Sequence, residues 1–410
     1  MTEKTYYFED QDLYSWSVAL VYLREFPEAQ LRYSFIDRGN TVYPAGFAED
    51  LMKEVQGLDG LRMTPAGIEA LRGYTSKYFP SWYYVFLGGL ELVSDEVRFW
   101  QNPDGTLSGE IEGPAWRVVF WEQILLSLVS ELYHARVSDL SGYSVEAETT
   151  EAARRVRWAT DLGVRFCDMG TRRRLSRDHH VAVVKAMAEA DPERQSFFGT
   201  SNLWLASQVP GLKCIGTMSH QYISMVASFY GPVEANKVAM KLWYRTYHGH
   251  LGCYLPDCLG TDAFYRNFSR EDAKNWESIR IDSGDNLTEF RKARDAYSRL
   301  GVDPRTRGIV FSNGLDLPGA ACLHAEVNGD MIDTYGIGTK ITCDPVSVKV
   351  KPLGIVIKAV AVKITPGREW LPCVKLSCDS GKATGDPVII KAYEALLGVP
   401  WRKKYPYETR

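Results

Sequence analysis

The sequence predicts an α/β fold in which an α/β barrel is joined to a mixed α+β domain formed by the N- and C-terminal segments. Two observations predict it. From about residue 150, helical stretches alternate with short apolar strands, and each strand ends in a polar turn. Such alternation is typical of a parallel sheet with helical crossovers. The segments on either side lack it and contain hairpin-like strands instead.

The first predicted domain spans residues 1–137. Apolar side chains recur at helical spacing near its start, strand-like alternation follows, and a strong turn signal joins two further strand-like runs. In order, the predicted elements are a helix at 12–26, a strand at 31–39, a helical stretch at 46–88, a hairpin around NPDG at 102–105, and a helix at 121–137.

The predicted barrel spans residues 138–345, and the predicted C-terminal segment spans residues 346–410. The latter contains PLGIVIKAVAV and WLPCVKLSCDSGK, which are typical of strands, and we expect it to return to the N-terminal domain. Within the barrel, helices are predicted at 150–161, 176–190, 232–245 and 286–300.

Composition and charge exclude several classes of protein. A net charge of −3 gives no basis for nucleic-acid binding. The polar start lacks a signal peptide's apolar region, and no apolar run approaches the roughly 20 residues needed to cross a bilayer. We therefore expect a cytoplasmic protein that does not bind membranes. Eight cysteines in a chain of 410 residues do not suggest a disulfide scaffold.

One stretch contains potential metal ligands, because His248 and His250 precede Cys253 and Cys258. However, the spacing fits no common zinc pattern, and Cys253 falls in a predicted strand. We do not expect a metal site there.

Polar turns follow the barrel strands at the rim where the active sites of barrels lie. Any one of them alone is an ordinary strand-to-helix turn, and His220 alone is more simply explained as a hydrogen-bonded core histidine. Together they predict a rim that is rich in glycine, hydroxyl groups and charge. These turns are DMGTR at 168–172, GTSN at 199–202, GTMSH at 216–220, DSGD at 282–285, SNG at 312–314 and GIGT at 336–339.

This rim is chemically suited to phosphate. Glycine lets backbone N–H groups approach a ligand, and a following helix N-terminus favours an anion. The arginines at 172–174 can donate to phosphate oxygens, although a solvated helix start is the alternative. Asp282 and Asp285 are suited to ribose hydroxyls or a metal–phosphate complex, with helix capping as the alternative. The predicted phosphate-binding glycines are Gly314, Gly336 and Gly338.

The whole set of motifs resembles the nicotinate phosphoribosyltransferase family. The matching pieces, from near the N-terminus to residue 382, are DLYSW, ELYHAR, DMGTRRRLS, FFGTSN, GTMSHQ, RIDSGD, FSNGLD, GIGTKIT and VKLSCDSGK. The resemblance implies transfer of phosphoribose from phosphoribosyl pyrophosphate to nicotinate, a step of NAD biosynthesis, with Mg²⁺ and with ATP hydrolysis coupled through a phosphohistidine. It also implies that the barrel is irregular and decapped, and that the protein is a homodimer whose active sites lie at the interface.

The resemblance assigns roles to individual residues. It makes His220 the phosphorylated histidine, Arg280 a contact of the pyridine ring, and Asp282 the holder of the ribose hydroxyls. It makes Arg172 a phosphate ligand and Tyr14 a residue that stacks on the base in the neighbouring subunit's site. Further substrate-binding residues are predicted in the same turns, namely Thr200, Ser201, Ser283, Gly314, Gly336, Gly338 and Thr339, and Asp285 is the predicted metal ligand.

The chain departs from the family pattern at three positions. Met169 stands where a phenylalanine usually stacks on the pyridine ring, although a sulfur–aromatic contact remains available. Ser219 and Gln221 replace the usual alanine and glutamate beside the histidine. Ser201 stands where nicotinamide-using relatives carry aspartate, and a hydroxyl that donates to a carboxylate favours nicotinate over its amide.

Two other readings remain open at this stage. In the first, the chain is a phosphoribosyltransferase that acts on nicotinamide or another base. Met169 favours this hypothesis, because it indicates a reshaped pocket. A barrel that binds a nucleotide without catalysis is the second alternative. The combination of His220, Arg280, Asp282 and the glycine turns argues against that second reading.

Overall fold

The structure is a computed structural model that describes residues 6–379 and 382–398. The N-terminal part contains α1 (Tyr14–Glu25), β1 (Gln30–Asp37), α2 (Phe47–Gln56), α3 (Pro65–Thr75), α4 (Ser81–Gly89), β2 (Val97–Gln101), β3 (Leu107–Pro114), α5 (Ala115–Val118) and α6 (Trp121–Val137). The long apolar helix predicted at 121–137 is therefore confirmed as α6.

The middle part alternates between helices and short strands, as predicted. It contains α7 (Val145–Asp161), β4 (Phe166–Asp168), α8 (Arg177–Ala190), β5 (Phe197–Thr200), α9 (Leu203–Ser207), β6 (Lys213–Cys214), α10 (His220–Tyr230), α11 (Pro232–Tyr247), β7 (Cys253–Tyr254), α12 (Thr261–Asn267), α13 (Arg270–Asn275), β8 (Ser278–Ile281), α14 (Asn286–Arg299), β9 (Gly308–Phe311), α15 (Leu317–Val327), β10 (Ile332–Ile337) and α16 (Thr339–Thr342). The last part contains β11 (Ile355–Lys363), β12 (Leu371–Pro372) and α17 (Pro387–Leu397).

The predicted helical stretch at 46–88 is divided into α2, α3 and α4. Thr64 caps α3 by accepting a hydrogen bond from the backbone N–H of Gly67, and Pro65 occupies the first helical turn. Pro80 is extended and precedes α4. A proline disfavours helical geometry in the residue before it, so both prolines begin new helices instead of continuing old ones.

An antiparallel sheet joins the two ends of the chain, with the strand order β12-β11-β1-β3-β2. The first strand, β1, pairs with β11 on one side and with β3 on the other. Leu31, Tyr33 and Phe35 of β1 are buried, as the period-two alternation predicts. The C-terminal segment thus contributes a strand next to β1, whereas residues 399–410 of that predicted segment lie outside the described residues.

The second sheet is parallel, with the order β6-β5-β4-β10-β9-β8-β7. Among the described residues β6 and β7 do not pair, so hydrogen-bonded strands do not close the predicted barrel. The two edges nevertheless approach each other, because the Thr217 hydroxyl after β6 donates to the Cys253 carbonyl in β7 at 3.2 Å. The turns after β6, β7 and β8 therefore meet across the open side of the sheet.

The start of α1 lies against the rim of this parallel sheet. The backbone N–H of Leu13 donates to the carbonyl of Ser201 at 2.8 Å, and the Ser17 hydroxyl donates to the carbonyl of Thr217. This contact places Tyr14 beside the turns that carry the polar side chains. No helix in residues 6–379 or 382–398 combines the length and apolar character needed to cross a membrane.

Candidate active site

His220 begins α10 and lies at the centre of a cluster of charged side chains. Its Nε2 atom is 2.8 Å from Oδ1 of Asp257 and 3.7 Å from Oδ2 of Asp282. His220 follows β6, Asp257 follows β7 and Asp282 follows β8. The cluster is therefore assembled from both edges of the parallel sheet.

Asp257 holds this cluster together. It is 1% exposed, accepts a hydrogen bond from the Ser283 hydroxyl at 2.7 Å, and lies 3.3 Å from the Lys375 ammonium group. Burial by itself would raise the pKa of the Asp257 carboxyl, but Lys375 and His220 outweigh burial and hold that pKa well below its usual range. Asp257 is therefore a permanent carboxylate beside the histidine.

The pKa of His220 is lowered, chiefly by burial and then by the charge of Lys375, against the opposing effect of Asp257. The imidazole is consequently neutral near pH 7. Asp257 stays ionised and can only accept a hydrogen bond. The proton of the neutral imidazole therefore lies on Nε2, which donates to Asp257. The Nδ1 lone pair is then the nucleophilic position.

Arg280 and Asp282 form a second, rigid pair in the same pocket. The Arg280 guanidinium donates to Oδ1 of Asp282 at 2.9 Å and to the Ser312 hydroxyl at 2.8 Å. The Ser312 hydroxyl in turn donates to Asp282 at 2.9 Å. Burial opposes ionisation of Asp282, but Arg280 and His220 lower the pKa of its carboxyl below the ordinary value. Both groups are fixed in their charged forms.

The opposite wall of the pocket includes Tyr14, Glu122, Arg172 and Lys358. Tyr14 donates to Glu122 at 2.7 Å, and Arg172 lies 3.6 Å from the same carboxylate. Burial and the nearby charge of Lys375 lower the pKa of Lys358 to about 8. Tyr14 thus lines the pocket of its own chain, and its predicted role in a neighbouring subunit stays a prediction.

The three predicted phosphate-binding arginines have different environments. Arg174 is buried in ion pairs, with two nitrogens 2.8 and 2.9 Å from Asp10 and its Nε 2.7 Å from Glu131. It therefore holds the N-terminal segment and is not free for a ligand. Burial, Arg172 and Arg38 together lower the pKa of Arg173 to about 10, which places three guanidinium groups near one another. Such a concentration of positive charge suits a polyphosphate.

The Thr200 and Ser201 side chains make contacts that the sequence did not predict. The Thr200 hydroxyl donates to Asp168 at 2.6 Å, and the Ser201 hydroxyl donates to Asp12 at 2.7 Å. The Ser201 proton is committed to this carboxylate, so the expected donation from Ser201 to nicotinate is not available in this geometry. Ser283 likewise serves the site through Asp257, not through a free hydroxyl.

Asp285, the predicted metal ligand, caps α14 instead. Its carboxylate accepts hydrogen bonds from the backbone N–H and the hydroxyl of Thr288, at 2.9 and 2.7 Å. A free helix N-terminus is stabilised by such a cap, which explains the position of Asp285 without any ion.

Among the described residues, one group of potential metal ligands comes together, namely His220, Asp257 and Asp282. It does not fit a resident Mg²⁺, which prefers an octahedron of oxygen atoms. One of its three members is a nitrogen ligand, both oxygens of Asp257 already accept from protein donors, and Lys375 lies beside them. His248, His250, Cys253 and Cys258 do not form such a group in the part of the chain that the structure describes.

The predicted phosphate-binding glycines also divide into two kinds. Gly314 has a left-handed φ of 63° and open space where a side chain would project, which is compatible with a ligand. A Cβ atom at Gly336 would lie 2.4 Å from Sδ of Met169, and one at Gly338 would lie 3.2 Å from the Met169 carbonyl oxygen. These two glycines make room for Met169, and Thr339 begins the four-residue helix α16.

We expect Gly336→Ala to lower the free energy of unfolding by about 1–3 kcal/mol, because the new methyl group forces Met169 to move. Urea denaturation measures this change. The double variant Gly336→Ala/Met169→Ala removes the clash and is expected to recover part of the loss. Equal destabilisation of the single and the double variant would contradict the packing explanation.

Sequence reasoning missed Asp257, Lys375, Glu122 and Lys358. Asp257 had a usable signal, because it follows the predicted strand that contains Cys253 as the other rim residues follow theirs. Lys375 lies within the motif VKLSCDSGK, but its position on a strand gave no indication of a partner. Glu122 and Lys358 are distant in sequence from every rim turn, and only the folded chain brings them to the pocket.

Comparison with known proteins agrees with this architecture. The sequence profile of the nicotinate phosphoribosyltransferase (NAPRTase) family matches residues 164–399, and the profile of the NAPRTase N-terminal domain matches residues 10–130. The nicotinate phosphoribosyltransferase of Desulforapulum autotrophicum is 36% identical over 92% of this chain and 95% of its own, and that of Chromohalobacter salexigens is 33% identical over 96% and 98%. The crystal structure of the enzyme from Porphyromonas gingivalis superposes with a TM-score of 0.92 at 32% identity, covering 97% of this chain and all of the other.

Proposed function

The chain belongs to the nicotinate phosphoribosyltransferase family, an enzyme family of NAD biosynthesis, and we propose that it joins phosphoribose to nicotinate in the pocket around His220, Arg280 and Asp282. The observation that carries this proposal is the convergence of those three side chains, with Asp257, from strand ends on both edges of the parallel sheet. The proposed reaction breaks the bond from ribose C1′ to pyrophosphate and forms a bond from C1′ to the ring nitrogen.

The transition state of this transfer resembles an oxocarbenium ion, so the protein mainly has to position charges. Asp282 is held ionised and is oriented by Arg280, which suits it to accept hydrogen bonds from ribose hydroxyls. Arg172 and Arg173 lie near each other, and their combined positive charge suits them to stabilise the leaving pyrophosphate. The described residues offer no oxygen cage for Mg²⁺, so an ion that arrives with the pyrophosphate is treated as part of the substrate.

Selection of nicotinate follows from the charge of the pocket instead of the Ser201 hydroxyl. Arg280, Lys358 and Lys375 all line it, together with Arg172. The cationic side chains of the lining outnumber its two carboxylates, Glu122 and Asp282, so a carboxylate-bearing base gains from the excess of positive charge, and the neutral amide does not gain equally.

Coupling to ATP is the second part of the proposal. Nδ1 of His220 attacks the γ-phosphorus of ATP, the bond to the bridging oxygen breaks, and ADP leaves. The proton on Nε2 stays in its hydrogen bond to Asp257, which stabilises the charge that develops on the ring. A cytoplasmic homodimer with shared active sites is the further expectation from the family resemblance.

Initial rates with nicotinate and nicotinamide, each with phosphoribosyl pyrophosphate and Mg²⁺, test the proposal. We expect nicotinate mononucleotide and pyrophosphate in equal amounts, and kcat/KM for nicotinate at least about tenfold above that for nicotinamide, the size of one favourable charge contact. Preference for nicotinamide would overturn the charge argument. Binding of nucleotide without product from either base would favour the non-catalytic alternative.

A further inference from the structure

The two residues beside His220 carry polar atoms that have no partner in the protein. The Oγ atom of Ser219 and the Nε2 atom of Gln221 are buried and make no hydrogen bond. Gln221 is 6% exposed as a whole, and both residues line the pocket that contains His220. A buried donor without an acceptor is costly, because it has lost its hydrogen bonds to water. Their common position in the pocket points to a ligand that supplies the acceptors.

The local geometry favours an anion as that ligand. Ser219 is the N-cap residue of the 11-residue helix α10, but its side chain makes no capping hydrogen bond. His220 and Gln221 occupy the first helical turn, where unpaired N–H groups and the helix dipole attract negative charge. A group bonded to the imidazole of His220 lies at this same helix N-terminus. The unpartnered amide of Gln221 is a second, independent feature of the same place.

We propose that Ser219 and Gln221 donate hydrogen bonds to the phosphoryl group carried by His220 and thereby prolong the lifetime of the phosphorylated enzyme. The proposal rests on the proposed function only in taking His220 as the phosphoryl acceptor. Ser219 supplies one O–H donor and the Gln221 amide supplies N–H donors, whereas phosphoryl oxygens only accept. These donors also offset the repulsion that Asp257 and Asp282 exert on a phosphoryl group.

A glutamine at position 221 slows the loss of the phosphoryl group in comparison with a glutamate at the same position. A carboxylate at the same place is unable to donate, and its charge repels the phosphoryl oxygens. Hydrolysis of phosphohistidine forms a P–O bond to water and breaks the P–N bond, and a proton from the water returns to the imidazole nitrogen. A carboxylate is suited to take a proton from that water, and an amide is not. The glutamine therefore favours slow loss of the phosphoryl group.

The test measures the lifetime of the phosphohistidine in the full-length protein and in Ser219→Ala, Gln221→Ala and Gln221→Glu variants. Each protein is labelled with γ-³²P-ATP, freed of nucleotide, and followed by the decay of acid-labile label. Gln208→Ala is the matched control, because the side chain of that exposed glutamine donates to its neighbour Ser207 and does not line the pocket. Phosphoramidate, a chemical phosphoryl donor, is used in parallel with ATP, and KM for nicotinate is measured for each variant.

We expect the half-life of the label to fall about tenfold in Gln221→Ala, as for loss of one hydrogen bond to a charged group, and less in Ser219→Ala. It should fall further in Gln221→Glu and stay unchanged in Gln208→Ala. Unchanged lifetimes in all three pocket variants overturn the proposal, and unchanged lifetimes with a raised KM for nicotinate assign the two donors to the base instead. Labelling by phosphoramidate but not by ATP refutes the proposed coupling, while the lifetimes still decide this inference. Absence of label from both donors overturns both.

Discussion

The His220→Ala variant is expected to incorporate no phosphate from γ-labelled ATP, a loss below the limit of detection. His220 is the only histidine among the described residues that lies against both Asp257 and Asp282, and its lowered pKa keeps the ring neutral and nucleophilic. Arg280 and Asp282 remain in place without it, because each is fixed by the other and by Ser312. We therefore expect base transfer to persist at a lower rate, no longer stimulated by ATP.

His250→Ala is the matched control for this experiment. His250 is exposed and lies near the ring of Tyr78, outside the pocket. Its removal should leave both labelling and turnover unchanged. Label retained by His220→Ala would refute the assignment of the phosphoryl acceptor, whatever the rate of base transfer.

The Asp257→Asn variant is expected to lose between about 10²-fold and 10⁴-fold in the rate of phosphorylation, where about 10⁴-fold is the loss seen when the carboxylate that orients a catalytic histidine becomes an amide. Asparagine keeps the size of the side chain but removes the charge that fixes the proton on Nε2 of His220. It also leaves the buried Lys375 without its carboxylate partner, which lowers the free energy of unfolding by about 3 kcal/mol or more. Rapid-quench labelling measures the first effect and urea denaturation the second.

The Ser283→Ala variant separates the effect of orienting Asp257 from the effect of removing the charge of Asp257. This variant removes one hydrogen bond to Asp257 and leaves the carboxylate, His220 and Lys375 in contact. A single hydrogen bond contributes about 1 kcal/mol, so the phosphorylation rate should fall by less than about tenfold. An Asp257→Asn variant that is phosphorylated as fast as Ser283→Ala would show that the charge of Asp257 has no role in activating the histidine.

Local sequence signals were sufficient to predict most of the helices and strands and some of the residues that line the candidate site. The strand-to-helix turns placed His220, Arg280 and Asp282 at one rim, because parallel strands all end on the same side of a sheet. The same reasoning did not predict the partners of Asp285, Thr200 and Ser201, whose side chains bond to Thr288, Asp168 and Asp12. The roles of these three residues toward substrate or metal stay predictions. A turn motif predicts where a residue lies, but not which neighbour its side chain bonds.

The extent of barrel closure could not be predicted either. The alternation of helices and strands predicts parallel strands, and it contains no information on which neighbouring strands pair and where the sheet stays open. In the described part of the chain β6 and β7 approach each other without pairing, and the turns that follow them come together at His220 and Asp257. The open side of the sheet is therefore where the site forms.

What the sequence determined by itself was the type of fold and the family resemblance, because these depend on periodicity and on short motifs along the chain. The role of His220 as the nucleophile stays a prediction. Only the tertiary structure decided which groups share the pocket with His220. Asp257, Lys375 and Glu122 are separated from it by long stretches of chain, and their charges act through space. Burial and these neighbouring charges together determine the protonation states of Asp257 and His220. A buried side chain stays charged only where an opposite charge or a hydrogen bond compensates the loss of water.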